Sequence, residues 1–201
     1  AMETPTKPLS LLIDRVRLVD PDRHSDGTAS ILIEDGLIKK IARAEAEQQV
    51  LRARARMRGS SLEVLNGRDL LIFPGLVDAH VHLREPGFEY KETVKTGCAA
   101  AARGGFTAVC AMANTQPVND CRAVTEFILK KAAEVRGVEV HPIGAVSKGL
   151  QGKELAEMGD MKSGGIAAVS DDGKPVLDSS LMRRALEIEP DSPGILHDFA
   201  H

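Results

Sequence analysis

The sequence predicts an α/β fold in which a small β-rich module precedes a parallel sheet built from strand–helix units. Three observations carry this reading. Residues 9–73 hold short apolar runs broken by Asp-Gly and Asn-Gly pairs, the pattern of antiparallel strands and tight turns. From Leu76 onward, "GLVDAHVH", "GFTAVCAMA", "VEVHPIGAVS" and "GIAAVSDDG" are apolar and β-branched without strict alternation, as strands buried on both faces require. Between these runs lie stretches with helical spacing, and such alternation makes right-handed βαβ units.

In the first module, "LLIDRVRLVD" and "ASILIEDGLIKKI" supply strands, with Asp35-Gly36 as a hairpin turn. "VLNGRDLLIFPG" reads as a second hairpin turning at Asn66-Gly67, and the module ends at Pro74-Gly75. The two expected domains are therefore 1–73 and 74–201. Arg52, Arg54, Arg56 and Arg58 alternate through "LRARARMRGSS". A phosphate-binding patch is one reading, but no aromatics or glycine loop accompany them, which favours the solvated face of an insertion.

In the second domain, Val94, Cys98, Ala101 and Ala102 form one apolar stripe, stopped by Gly104-Gly105. Val124, Phe127, Ile128, Ala132 and Val135 form a second stripe, and Leu155 and Met158 open a third. Asp178-Ser179-Ser180 offers N-caps for a fourth helix carrying Leu181, Met182, Ala185 and Leu186. A complete (β/α)8 barrel takes about 250 residues, so the residues after 73 suffice for about four units and a fifth strand at "GILHDFAH". That is half of a barrel, or else an open sheet.

Composition narrows the function. A formal net charge of −3 and 3% aromatic residues, without aromatic–basic interleaving, argue against nucleic-acid binding. No apolar run reaches membrane-spanning length, and the first residues lack a signal-peptide layout, so a cytoplasmic location is expected. Ala1-Met2 reads as an expression scar. Cys98, Cys110 and Cys121 match neither a disulfide framework nor a zinc knuckle, and read as buried free thiols in a reducing compartment.

The chemistry-bearing residues cluster at strand ends. His80 and His82 stand at i and i+2, so on a strand they point to one side. At the carboxyl end of a first barrel strand both imidazoles enter the mouth, where such barrels keep catalytic groups, and two converging imidazoles make a natural zinc pair. Asp171 and Asp172 end another buried strand. They are either capping carboxylates of a turn or, for one of them, a ligand to the same metal, which a carboxylate can bridge to a second cation. Asn114, in "AMANTQPVND", is a turn former or a hydrogen-bonding group for a polar substrate. Arg84, two residues after the histidine pair, suits bidentate capture of a carboxylate, with a surface salt bridge as the plain alternative.

"PGLVDAHVHLREPG", "GGFTAVCAMANTQPVND", "IGAVSKGLQGKEL" and "SDDGKPVLDSSLMRRALE", in this order, resemble the bacterial-type dihydroorotases of the amidohydrolase superfamily. The resemblance covers roughly residues 9–187. It implies a distorted (β/α)8 barrel of the TIM type joined to a small β-sandwich. The implied reaction is the zinc-dependent, reversible cyclisation of N-carbamoyl-L-aspartate to dihydroorotate in pyrimidine biosynthesis. By position, His80, His82 and Asp172 are the implied ligands for one or two zinc ions, Asp172 being preferred to Asp171 because it directly precedes the glycine. Arg84 and Asn114 are the implied holders of the substrate carboxylate. His24 and His141 match no functional position, and His141 is expected to pack or hydrogen-bond at a strand edge. Related hydantoinases and allantoinases bridge their metals with a carboxylated lysine where this chain has "SDDG", which favours dihydroorotase over those cyclic amidohydrolases.

The chain also departs from the family pattern. Two further metal histidines and the general-base aspartate are expected in later strands, so no catalytic base is assigned within these residues. Neither His197 nor His201 falls at the spacing of the next ligand, though either reaches it with a small shift. The polypeptide therefore reads as an amino-terminal portion, inactive and self-associating or poorly soluble by itself. The competing reading is a non-catalytic structural partner of aspartate transcarbamoylase.

Overall fold

The computed structural model describes residues 10–188, so "GILHDFAH", with His197 and His201, lies outside the described residues. The chain divides into two compact units between Pro74 and Gly75.

The first unit is built on β1 (Leu11–Asp20), β2 (Ser25–Glu34) and β3 (Leu37–Ala42), an antiparallel meander. Asp35 and Gly36 both adopt positive φ, 56° and 74°, as the two-residue turn between β2 and β3 requires. Helix α1 (Glu45–Arg58) follows. It buries Gln48, Leu51 and Ala55, a single stripe at i, i+3 and i+7, with Leu51 and Ala55 packed in a cluster with Leu12, Leu32, Ala42 and Leu62. The sequence pattern suggests the solvated face of an insertion here, and the narrow apolar stripe, two side chains in the core, gives little sign of the helix. Three of the helix's arginines are held by acids. Arg52 pairs with Asp14 and Glu45, while Arg54 and Arg58 pair with Glu34.

The expected second hairpin does not form. β4 (Glu63–Asn66) and β5 (Leu71–Ile72) both pair in parallel with β1, one after the other, giving the order β3-β2-β1-β4 with β5 also on β1. Asn66-Gly67 serves here as a kink. β1 carries a bulge between Ile13 and Val16, and its partner must pass this bulge closely. A Cβ on Gly67 would sit 2.7 Å from the Cβ of Val16, and the Gly67 amide donates to the Asp14 carbonyl at 2.7 Å.

The second unit is a parallel four-stranded sheet in the order β6-β7-β8-β9: β6 (Leu76–Val81), β7 (Phe106–Ala111), β8 (Glu139–Gly144) and β9 (Ala168–Val169). Helices α2 (Val94–Arg103), α3 (Arg122–Ala133) and α4 (Met158–Gly164) connect consecutive strands, and α5 (Ser179–Ile188) follows β9. This is the parallel half-barrel expected of repeated βαβ units. Val94 and Cys98 on α2 and Val124 and Ile128 on α3 pack with Val109 of β7 and Val140 of β8. Burying each such aliphatic side chain contributes about 1.5–3 kcal/mol. Thr93 caps α2 in a reciprocal box with Thr96. Asp178 caps α5 by accepting from the amides of Ser180 and Leu181 at 2.8 and 3.2 Å. His141 lies on β8 ahead of the two residues that pair with β9, so β7 alone flanks it in the ladder. It faces Cys110 across the ladder, and its Nε2 lies 3.6 Å from Glu139.

Candidate metal centre

Parallel strands of one barrel share their carboxyl ends at one rim, so residues far apart in sequence meet there. His80 is the penultimate residue of β6, and His82 comes directly after the strand's last residue. Asp172 comes three residues after β9, and Asn114 three after β7. One ligand atom from each of His80, His82 and Asp172 lies within 4.8 Å of the other two.

The contacts form a chain. His80 Nε2 lies 2.9 Å from Asp172 Oδ1. The Asn114 amide nitrogen donates to Asp172 Oδ2 at 2.7 Å, and its oxygen meets His82 Nδ1 at 2.9 Å. The two imidazole rings stand edge to face with centroids 5.2 Å apart. All four residues are half-buried, so a solute can reach them. The donor set comprises two imidazoles and one carboxylate, ligand types that suit zinc.

The adjacent aspartates do different work. Asp171 is 1% exposed, and its carboxylate faces away from this chain of contacts. Oδ1 accepts the amides of Val146 and Ser147 at 2.8 and 3.0 Å, and Oδ2 accepts the Ser147 hydroxyl. One acid anchors the loop after β8, while the other, turned aside by its left-handed backbone, joins the histidines. Sequence reasoning misses this loop anchor, because its partners Val146 and Ser147 lie on another loop.

Arg84 lies on the loop after His82 and is half-buried; among the described residues, no hydrogen bond or ion pair engages its guanidinium. This loop packs on the one bearing Asn114. The Gln116 amide donates to the Pro86 carbonyl at 2.9 Å, and a Cβ at Gly87 would come within 2.1 Å of the Gln116 carbonyl oxygen. The structure thus brings His80, His82, Asn114 and Asp172 together and places Arg84 on a neighbouring segment. Arg84 and Asp172 both adopt left-handed backbone conformations, with φ of 61° and 56°. Such a conformation costs an L-residue about 1–2 kcal/mol and is retained only where the surroundings fix it.

Residues 69–201 match the protein family described as Dihydro-orotase-like. The chain belongs to that family. Curated relatives carry the same name: a dihydroorotase of Anaeromyxobacter dehalogenans (strain 2CP-C) is 52% identical over 177 residues, covering 88% of this chain and 38% of the relative. One from Syntrophobacter fumaroxidans is 48% identical over 192 residues, covering 94% and 42%. The chain thus spans about two fifths of the length of those relatives. Among solved structures, an L-hydantoinase (dihydropyrimidinase) from Arthrobacter aurescens aligns with a TM-score of 0.60 at 20% identity, covering 81% of this chain and 32% of that one. A crystal structure of a dihydroorotase aligns at 0.53 and 15% identity, covering 89% and 48%. These likenesses establish the fold, a parallel half-barrel shared with both structures. Among the described residues, no helix is long and apolar enough to cross a membrane.

Proposed function

We propose that this chain carries the first metal-ligand set and part of the substrate clamp of a zinc-dependent dihydroorotase. That enzyme interconverts N-carbamoyl-L-aspartate and dihydroorotate in pyrimidine synthesis. The observation that carries the proposal is the convergence of His80, His82 and Asp172, from two strand ends, to within 4.8 Å. The relatives named dihydroorotase support the choice of reaction.

His80 and His82 would offer neutral nitrogens, and Asp172 the charge that offsets part of a divalent cation. When bound, zinc supplies Lewis acidity, polarising an amide carbonyl and bringing the pKa of water down to about 7. Arg84 and Asn114 would hold the substrate α-carboxylate, the guanidinium through paired N–H donors and the amide through its second N–H. That grip holds the scissile ring amide at a fixed distance from the ligand set, which is a positioning contribution. We assign no general base to this chain.

Zinc content tests the reading directly. The purified 201-residue chain is expected to hold stoichiometric zinc, and H80A, H82A and D172A each to lose it while keeping the circular dichroism spectrum of the parent. A chain that excludes zinc, or that retains it in all three variants, overturns the ligand assignment. Dihydroorotate hydrolysis by a zinc-loaded protein containing this chain tests the substrate. Turnover of hydantoin in its place redirects the reading to another cyclic amide.

A further inference from the structure

We infer that Asn114 is a positioning residue that sets the tautomer of His82 and aims its Nε2 at the cation. The inference rests on the metal-site reading above. An ionised carboxylate only accepts hydrogen bonds, so the Asn114 group 2.7 Å from Asp172 Oδ2 must be the amide NH2. The reverse orientation would set two acceptor oxygens against each other. The Asn114 carbonyl oxygen must therefore face His82, 2.9 Å from Nδ1, and a carbonyl oxygen only accepts. The neutral imidazole then carries its proton on Nδ1, which leaves the lone pair on Nε2. A nitrogen bearing a proton cannot ligate a metal, so Asn114 decides which atom of His82 is offered.

The fold supplies this arrangement from three places. His82 follows β6, Asn114 follows β7 and Asp172 follows β9, with sequence separations of 32 and 58 residues across the two bonds. The amide also ties His82 to Asp172, so rotation of either ligand disturbs the other. Partners of this kind, which orient a metal-ligating histidine, change metal affinity by about 10–100-fold when removed. The duty is separable from holding substrate. One amide hydrogen goes to Asp172, and the other remains for a carboxylate.

Two measurements on the 201-residue chain test this. With 15N-labelled histidine in the presence of chelator, at a pH where the ring is neutral, long-range 1H–15N spectra are expected to show His82 as the Nδ1–H form. In N114L, which keeps the branched shape and removes both polar groups, that preference is expected to be lost. Competition with a chromophoric chelator is expected to show zinc binding weakened about 10–100-fold in N114A and N114L. An Nε2–H form of His82 in the parent, or unchanged zinc affinity in both variants, overturns the inference and leaves Asn114 a substrate contact alone. If the parent takes up no zinc, the metal reading fails, while the tautomer spectrum still decides the role of Asn114.

Discussion

Two clusters in this molecule are built around an aspartate and differ in what surrounds it. Asp14, in the first unit, is 5% exposed. It accepts from the Ser30 hydroxyl at 2.8 Å and pairs with Arg15 and Arg52 at 3.0 and 3.2 Å. Ser30 is in turn held next to Gln48, whose amide donates to the Arg43 carbonyl at 2.9 Å. The Asp172 carboxylate, in the second unit, is met by an imidazole and an amide among the described residues. The first carboxylate is neutralised by permanent cations and tethers α1 to its sheet. The second is met by an imidazole and an amide, groups that carry no permanent positive charge. A carboxylate supplied with arginines is spoken for by the structure, whereas one supplied with imidazoles remains open to a metal.

Asp171 sharpens the contrast, because it neighbours Asp172 yet serves the structure as fully as Asp14 does. Its removal is expected to have the largest effect on stability. D171A strands the buried amides of Val146 and Ser147, at about 1–3 kcal/mol each, for a total of about 2–6 kcal/mol. D171N retains an acceptor oxygen and is expected to cost less than half as much. Urea denaturation of the zinc-free chain measures both. Equal losses in D171A and D172A would erase the distinction between the two acids.

This division of labour is only partly legible in the sequence. The βαβ units can be read because buried parallel strands need continuous apolar runs, and the helix stripes between them keep their spacing. His80 and His82 can be paired because strand geometry alone puts i and i+2 on one side. Helix α1 escapes notice because only Leu51 and Ala55 carry its apolar contact, and its pairs to Asp14 and Glu34 join residues far apart in sequence. Asn66-Gly67 misleads because the same dipeptide serves a hairpin turn and a close crossing, and the β1 bulge that selects the crossing lies about fifty residues upstream. The link from Asn114 to His82 and Asp172 depends on three strand ends meeting, which only the shared rim of the parallel sheet provides.

The Asp14 cluster gives a second, smaller test. D14A leaves Arg15 without its acceptor while Arg52 keeps Glu45 and Ser30 keeps its contact to Gln48, and the Arg15 and Arg52 side chains, 34% and 20% exposed, can rehydrate. The expected loss is about 1–3 kcal/mol, with zinc content unchanged. Loss of zinc in D14A would mean that the two clusters are not independent.

The smallest effect concerns the cysteines, of which Cys98 is buried as expected while Cys110 and Cys121 are only half-buried. Burial pushes the Cys98 and Cys110 thiols above their usual value of 9.0, with Glu92 and Asp78 adding to the shift. In the unfolded chain these thiols ionise near the usual value, so above it the folded state binds more protons and stability falls as pH rises. Well below 9.0 the two thiols are protonated in both states and contribute nothing to the pH dependence. The urea midpoint of the zinc-free chain is therefore expected to fall on the alkaline side, and to fall less steeply in a C98A/C110A double variant. The variant's lower baseline reflects the packing lost at Cys98, which is 1% exposed in the α2 core, so the slope rather than the midpoint carries the test. Parallel alkaline slopes in parent and variant would assign the fall to other groups, and would leave the carboxylates and their partners as the source of the molecule's pH response.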